Sequence, residues 1–228
     1  MKLALPLYKR QIDAAGKLRQ NLQQWQKSDA ALVALHKKFP GFTPEACLLK
    51  SVAVNAIYGT NVLAIVRVAN HVKDVLSRHN LAQAGAELVI KIANAPSEEG
   101  RPSRRRTSFA SKFCHFFVDA KRFPIYDDAA RQVLKLHLGK SVKPHDYKTF
   151  CSSINQLKNA VSGCDTRMLD RYLWLTGMYM RWLKNKKKKN PMVNAELLKL
   201  FKKPTKAQAA KLDVMLPAIL DRAFKGEL

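Results

Sequence analysis

Apolar residues recur at three-, four- and seven-residue spacings along almost the whole chain, and no apolar–polar alternation runs longer than four residues. The first pattern places side chains on one face of a helix, whereas a strand needs the second. The chain is therefore expected to be all-α. Residues Tyr8 to Phe39 carry Leu18, Leu22, Trp25, Leu32 and Leu35 in helical register, and Phe39-Pro40-Gly41-Phe42 ends that region. Thr43 before Pro44 reads as an N-cap followed by a first-turn proline. The segment from Ala46 to Ile57 reads as an apolar helix, broken at Tyr58-Gly59-Thr60-Asn61. Further helices are expected over Val62 to Arg78 and Leu81 to Ala93.

Ala95 to Thr107 is the clearest loop, with Pro96, Gly100, Pro102 and the run Arg104-Arg105-Arg106. The spacing predicts helices from Ser108 to Val118, after a turn through Phe123-Pro124-Ile125 from Asp127 to Leu138-Gly139, and from Pro144 to Ala160. Arg167 to Leu183 puts Leu169, Tyr172, Leu173, Thr176, Met180 and Leu183 on one face, the mark of a core helix. Lys186 to Lys189 and Pro191 stop it, and one or two basic helices follow between Asn194 and Phe224, separated by Pro204 and Pro217.

Charge narrows the partner. The 228 residues hold 41 Lys+Arg against 17 Asp+Glu, a formal net charge of +24. A folded chain this basic repels itself unless a polyanion is nearby, and nucleic acid is the usual one. The apolar stretch within Met1 to Leu7 is too short for a signal sequence, and no run approaches the roughly 20 apolar residues of a membrane span. The cysteines (Cys47, Cys114, Cys151, Cys164) show no C-x-x-C pair and no cluster spacing, so they read as reduced thiols and no metal or cofactor is expected. A monomer in the cytoplasm or nucleoid is the expectation.

Two segments carry chemistry. Ser108-Phe109-Ala110-Ser111-Lys112-Phe113 sets a lysine just over one turn into an aromatic helix, surroundings that favour the neutral, nucleophilic amine. Phe123-Pro124-Ile125-Tyr126-Asp127-Asp128 sets a carboxylate at the next helix start, where the helix dipole favours it. Asp128 is the alternative participant, or a capping neighbour.

These segments resemble the catalytic region of the helix-hairpin-helix–GPD superfamily of DNA glycosylases. There a G-V-G-x-K hairpin leads to a helix opening with V-D-T-H-V. Ser108 to Lys112 lies on the first motif and Ile125 to Asp128 on the second, fifteen residues separating Lys112 from Asp127. The resemblance implies that Lys112 is the Schiff-base lysine and Asp127 the essential aspartate. It implies that Ser108 and Ser111 lie on the DNA-gripping element, a degenerate helix-hairpin-helix whose glycines are replaced by Ser108 and Ala110. Leu48 to Val72 resembles the preceding helix pair, so Tyr58 and Asn61 fall on the turn that inserts a wedge into double-stranded DNA as a base flips out. Tyr58 is equally readable as a core tyrosine, and Asn61 as an N-cap. Arg104, Arg105 and Arg106 would contact phosphates.

The resemblance further implies a single glycosylase-like domain of two helical lobes around a groove. The central lobe would span about 43–139, and the second 1–42 with 140–228. The implied activity is excision of a damaged or modified base, with strand cleavage at the abasic site. A non-catalytic DNA- or RNA-binding helical module is the other reading of the charge.

Overall fold

The computed structural model describes residues 3–97, 104–186 and 193–216. Among them are eleven helices and no strand, so the fold is all-α. Gly100, Pro102, Lys187 to Lys189, Pro191 and Pro217, which marked expected loops and breaks, lie outside the described residues. The chain divides into two compact units: unit 1 comprises 1–26, 127–142 and 153–228, and unit 2 comprises 27–126 and 143–152. Unit 2 begins before the expected central lobe, stops at Tyr126 short of Asp127, and takes in 143–152 from the expected second lobe.

Unit 1 contains α1 (Lys9–Arg19), α7 (Asp128–Leu138), α9 (Thr166–Asn185), α10 (Ala195–Lys202) and α11 (Lys206–Met215). Helix α9 packs on α1, α7 and α10, and α1 packs on α11. Of the face expected of α9, Leu169, Tyr172, Leu173 and Thr176 are buried, whereas Met180 and Leu183 nearer its end are only half-buried. At the crossing of α7 and α9, a Cβ on Gly177 would lie 2.5 Å from the Ala129 carbonyl oxygen, so only glycine allows this approach. Buried His137 bridges Leu5 O and the Tyr172 hydroxyl, each at 2.9 Å, which ties the chain's first residues to α9.

Unit 2 contains α3 (Pro44–Tyr58), α4 (Ile65–Ser77), α5 (Ala86–Ala93) and α6 (Thr107–Phe117). Helix α2 (Gln23–Lys38) runs mostly within it, as does the start of α8 (Tyr147–Ala160). Thr43 caps α3 by accepting the Ala46 N–H, with Pro44 in the first turn and Gly59 closing the helix at φ 56°. Helix α6 is buried around most of its circumference and packs on α3 and α5. Phe109, Phe113 and Phe117 follow one another down one side, the first pair tilted and the second edge to face, with successive ring centroids 6.1 and 5.1 Å apart.

Three expected helices start later than the periodicity implies. Helix α4 begins at Ile65 rather than Val62, and α8 at Tyr147 rather than Pro144. Helix α5 begins at Ala86 rather than Leu81, because 81–85 is a turn clamped from a distance. The Arg122 guanidinium donates to the carbonyls of Leu81, Ala82 and Ala84. Asp119 holds that guanidinium in place at 2.7 Å.

Candidate functional site

Lys112 lies on the second turn of α6 and is only 5% exposed. Its Nζ donates to the Ser108 hydroxyl at 2.8 Å and lies 5.7 Å from the centroid of the Tyr58 ring. Ser108 sits four residues earlier, so one helix face carries both the amine and its acceptor. The Tyr58 ring comes from the last residue of α3 and also packs against Phe116, at 5.5 Å. An amine held this way by a hydroxyl and an aromatic wall occupies a defined position, which a nucleophile requires.

Of the two readings of Tyr58, its packing favours the core tyrosine. Its ring is half-buried and its hydroxyl donates to Asp29 Oδ1 at 2.8 Å, so it is a wall of the Lys112 site rather than a free wedge. Asn61 is exposed in the left-handed region at φ 54°, and the residue before α4 is Ala64, so Asn61 is no N-cap. The connection from α3 to α4 is organised by Asn55. Its side chain accepts from the Thr60 hydroxyl and the Val62 N–H and donates to the Val62 carbonyl. Val62 is buried as a plug, and Leu63 beside it is 94% exposed. Periodicity hid this residue, because a Val-Leu pair ahead of an apolar helix reads as the helix itself. The available signal was the Gly59-Thr60-Asn61 break placed just before it.

The expected DNA contacts divide. Arg104 and Arg105 are exposed. Arg106 precedes α6 and spends its guanidinium on the carbonyls of Ala95 and Arg104, closing the loop. Burial, then the neighbouring Arg67 and Arg104, hold its pKa below the usual value. Ser111 is fully buried: its hydroxyl donates to Ser108 O and accepts the Tyr126 N–H at 3.0 Å, which removes it as a DNA contact. Ser108 is the acceptor for Lys112. Since α6 already begins at Thr107, Ser108 to Lys112 is helix rather than hairpin turn.

In unit 1, Asp127 caps α7 by accepting the Ala130 N–H at 2.8 Å and is half-buried. Asp128 points outward instead and pairs with Arg131 at 2.9 Å, so the cap belongs to Asp127. His115 is buried and bonded to Phe123 O, as a core histidine would be. All four cysteines are free, and burial pushes the Cys114 thiol far up. Among the described residues no cluster of His, Cys, Asp or Glu could hold a metal, and no helix is long and apolar enough to cross a membrane.

Helices α1 to α6 all fall within residues 9–125. The family model HI_0787_N, described as an N-terminal domain, matches residues 9–125, just over half the chain, and the protein belongs to that family. The matched segment includes Lys112 and ends before Asp127. The chain is similar to an uncharacterized protein of Haemophilus influenzae, 30% identical over 128 residues, which cover 54% of this chain and 62% of that protein. The chain thus spans less than two thirds of that relative's length. No solved structure matches.

Proposed function

We propose that the protein is a monomeric DNA N-glycosylase with abasic-site lyase activity, acting on a damaged or modified base flipped out of duplex DNA. The observation that carries this reading is Lys112, an almost buried amine seated between the Ser108 hydroxyl and the Tyr58 ring. Net charge of +24 supports a DNA partner, and with it a place in the cytoplasm or nucleoid. The α5–loop–α6 element would serve as the degenerate helix-hairpin-helix.

In this reading the neutral Lys112 amine attacks C1′ of the flipped nucleotide. The C1′–N bond breaks, and its electron pair leaves with the base, which takes up a proton. The amine passes a proton to O4′ as the C1′–O4′ bond opens, giving a protonated imine, and loss of a C2′ proton then drives β-elimination of the 3′ phosphate. Asp127 provides the carboxylate that stabilises positive charge on the sugar in the transition state. Leu63, exposed at the tip of its connection, fills the space left by the base. Flipping costs a few kcal/mol, and an apolar wedge offsets part of it.

The test is borohydride trapping on duplexes bearing abasic, oxidised, alkylated or hypermodified bases. A covalent adduct lost in Lys112→Gln is expected. Base release without an adduct, abolished in Asp127→Asn, would mean a monofunctional glycosylase. Tight salt-sensitive binding with neither product would leave a non-catalytic binding module, in which Lys112 merely ties α6 to Tyr58.

A further inference from the structure

Two basic hollows on unit 2 meet at Asn94. The first, about 560 Å³, is lined by His71, Asp74, Arg78, His79 and Lys91 among others. Lys91 Nζ lies 2.8 Å from His79 Nε2, and His79 Nδ1 is bonded to the Val75 carbonyl. A carbonyl only accepts, so Nδ1 carries the proton and Nε2 offers Lys91 a lone pair. The Lys91 ammonium is therefore held in place by a neutral imidazole rather than by a carboxylate. His71 Nε2 fixes the same residue through its carbonyl, at 2.8 Å. The single carboxylate in this hollow, Asp74, is already contacted by Lys73 at 3.3 Å.

The second hollow, about 360 Å³, is lined by Arg105, Thr107, Lys143, His145 and Asp146, and again by Asn94. His145 adopts φ 62°, its N–H donates to the Tyr126 hydroxyl at 2.7 Å, and its ring lies 3.1 Å from the Thr107 hydroxyl. Asp146 is committed to the start of α8, where it accepts the Thr149 N–H at 3.0 Å. Arg78, Lys91, Arg105 and Lys143 make no salt bridge among the described residues. Four cations thus line two adjoining concavities whose carboxylates are bonded elsewhere.

We infer that this face is a track for the phosphates of a nucleic-acid strand, crossing Asn94 from the Arg78/Lys91 hollow to the Arg105/Lys143 hollow. Adjoining hollows suit consecutive phosphates, whereas a lone phosphate would need only one. Positioned side-chain cations contact phosphate without reading sequence, so the track serves affinity and register. The inference rests on the reading that the chain binds DNA, and it adds a contact surface separate from the Lys112 site.

The full chain is titrated with an undamaged labelled duplex across a range of salt, with melting curves confirming that each variant folds. Each of the pairs R78A/K91A and R105A/K143A is expected to lower the log–log salt slope by about 2, roughly 0.9 per lost phosphate contact. The pair K37A/K38A, an equal charge loss at the end of α2, should shift it less than half as much. Track variants no different from that pair overturn the proposal, as does competition by polyglutamate as effective as by duplex. Saturable inorganic phosphate binding lost in K91A, with duplex binding unchanged, also overturns it in favour of a single-phosphate pocket. Excision is judged separately by the borohydride adduct, so each idea fails on its own readout.

Discussion

The Lys112 side chain donates to the Ser108 hydroxyl 2.8 Å away, one turn earlier on α6. This bond ties the amine to its own helix. Ser108→Ala removes the acceptor and leaves the lysine. If Lys112 is the nucleophile, the rate of borohydride-trapped adduct should fall by about ten- to a hundredfold, the cost of a misplaced reacting group. Ser108→Thr should recover most of it. An adduct rate unaffected by Ser108→Ala would place the nucleophile elsewhere.

Leu63 separates stability from function. Nothing packs over a side chain that is 94% exposed, so Leu63→Ala should leave the urea-derived stability within about 0.5 kcal/mol of the parent. Binding to a duplex with an abasic gap should nevertheless weaken by about tenfold or more, since burying a leucine is worth roughly 1.5–3 kcal/mol. Equal loss on intact single strands would argue against a wedge.

Gly177→Ala tests the close approach within unit 1. The new methyl meets the Ala129 backbone at 2.5 Å, and neither helix can yield without moving its neighbours. A destabilisation of about 1–3 kcal/mol or more is expected in equilibrium denaturation. The variant's circular dichroism should still show a helical fold.

Lys50 gives a pH signature. It is fully buried, donates to Gly41 O at 2.6 Å, and lies 4.5 Å from the centroid of the Phe42 ring. Burial lowers its pKa from 10.5, so below that pH the unfolded chain binds the extra proton. Its contribution to stability therefore rises with pH from the folded pKa up to 10.5. Cys47 works the other way: burial raises its thiol to about 11, so its contribution is lost as pH rises from 9 through that value. With the opposing thiol removed by Cys47→Ala, adding Lys50→Met should flatten the rise in thermal midpoint with pH below 10.5. An unchanged pH slope in that variant would show that another group is responsible.

Helix ends were legible because capping is chemistry within four residues. Thr43 with Pro44, Asp127 with Gly139, and the Gly59 break all act where the sequence places them. The later starts of α4 and α5 were not, since periodicity reports apolar spacing and cannot see that Asn55 or Arg122 holds the preceding residues in a turn. In the candidate site, Lys112 and its helix were readable from S-F-A-S-K-F. Its neighbours were not: Tyr58 is fixed by Asp29, and Ser111 by the Tyr126 amide fifteen residues on.

By itself, then, the sequence determined an all-helical chain, its charge, the caps at Thr43 and Asp127 and the lysine on α6. These follow from local backbone geometry and from residue counts. Only the tertiary structure decided that Tyr58 is a wall, that Ser111 is sealed in the core, that Arg106 closes a loop, and that Leu63 stands in solvent. Whether a side chain reaches a ligand depends on what packs over it, and those neighbours come from distant parts of the chain.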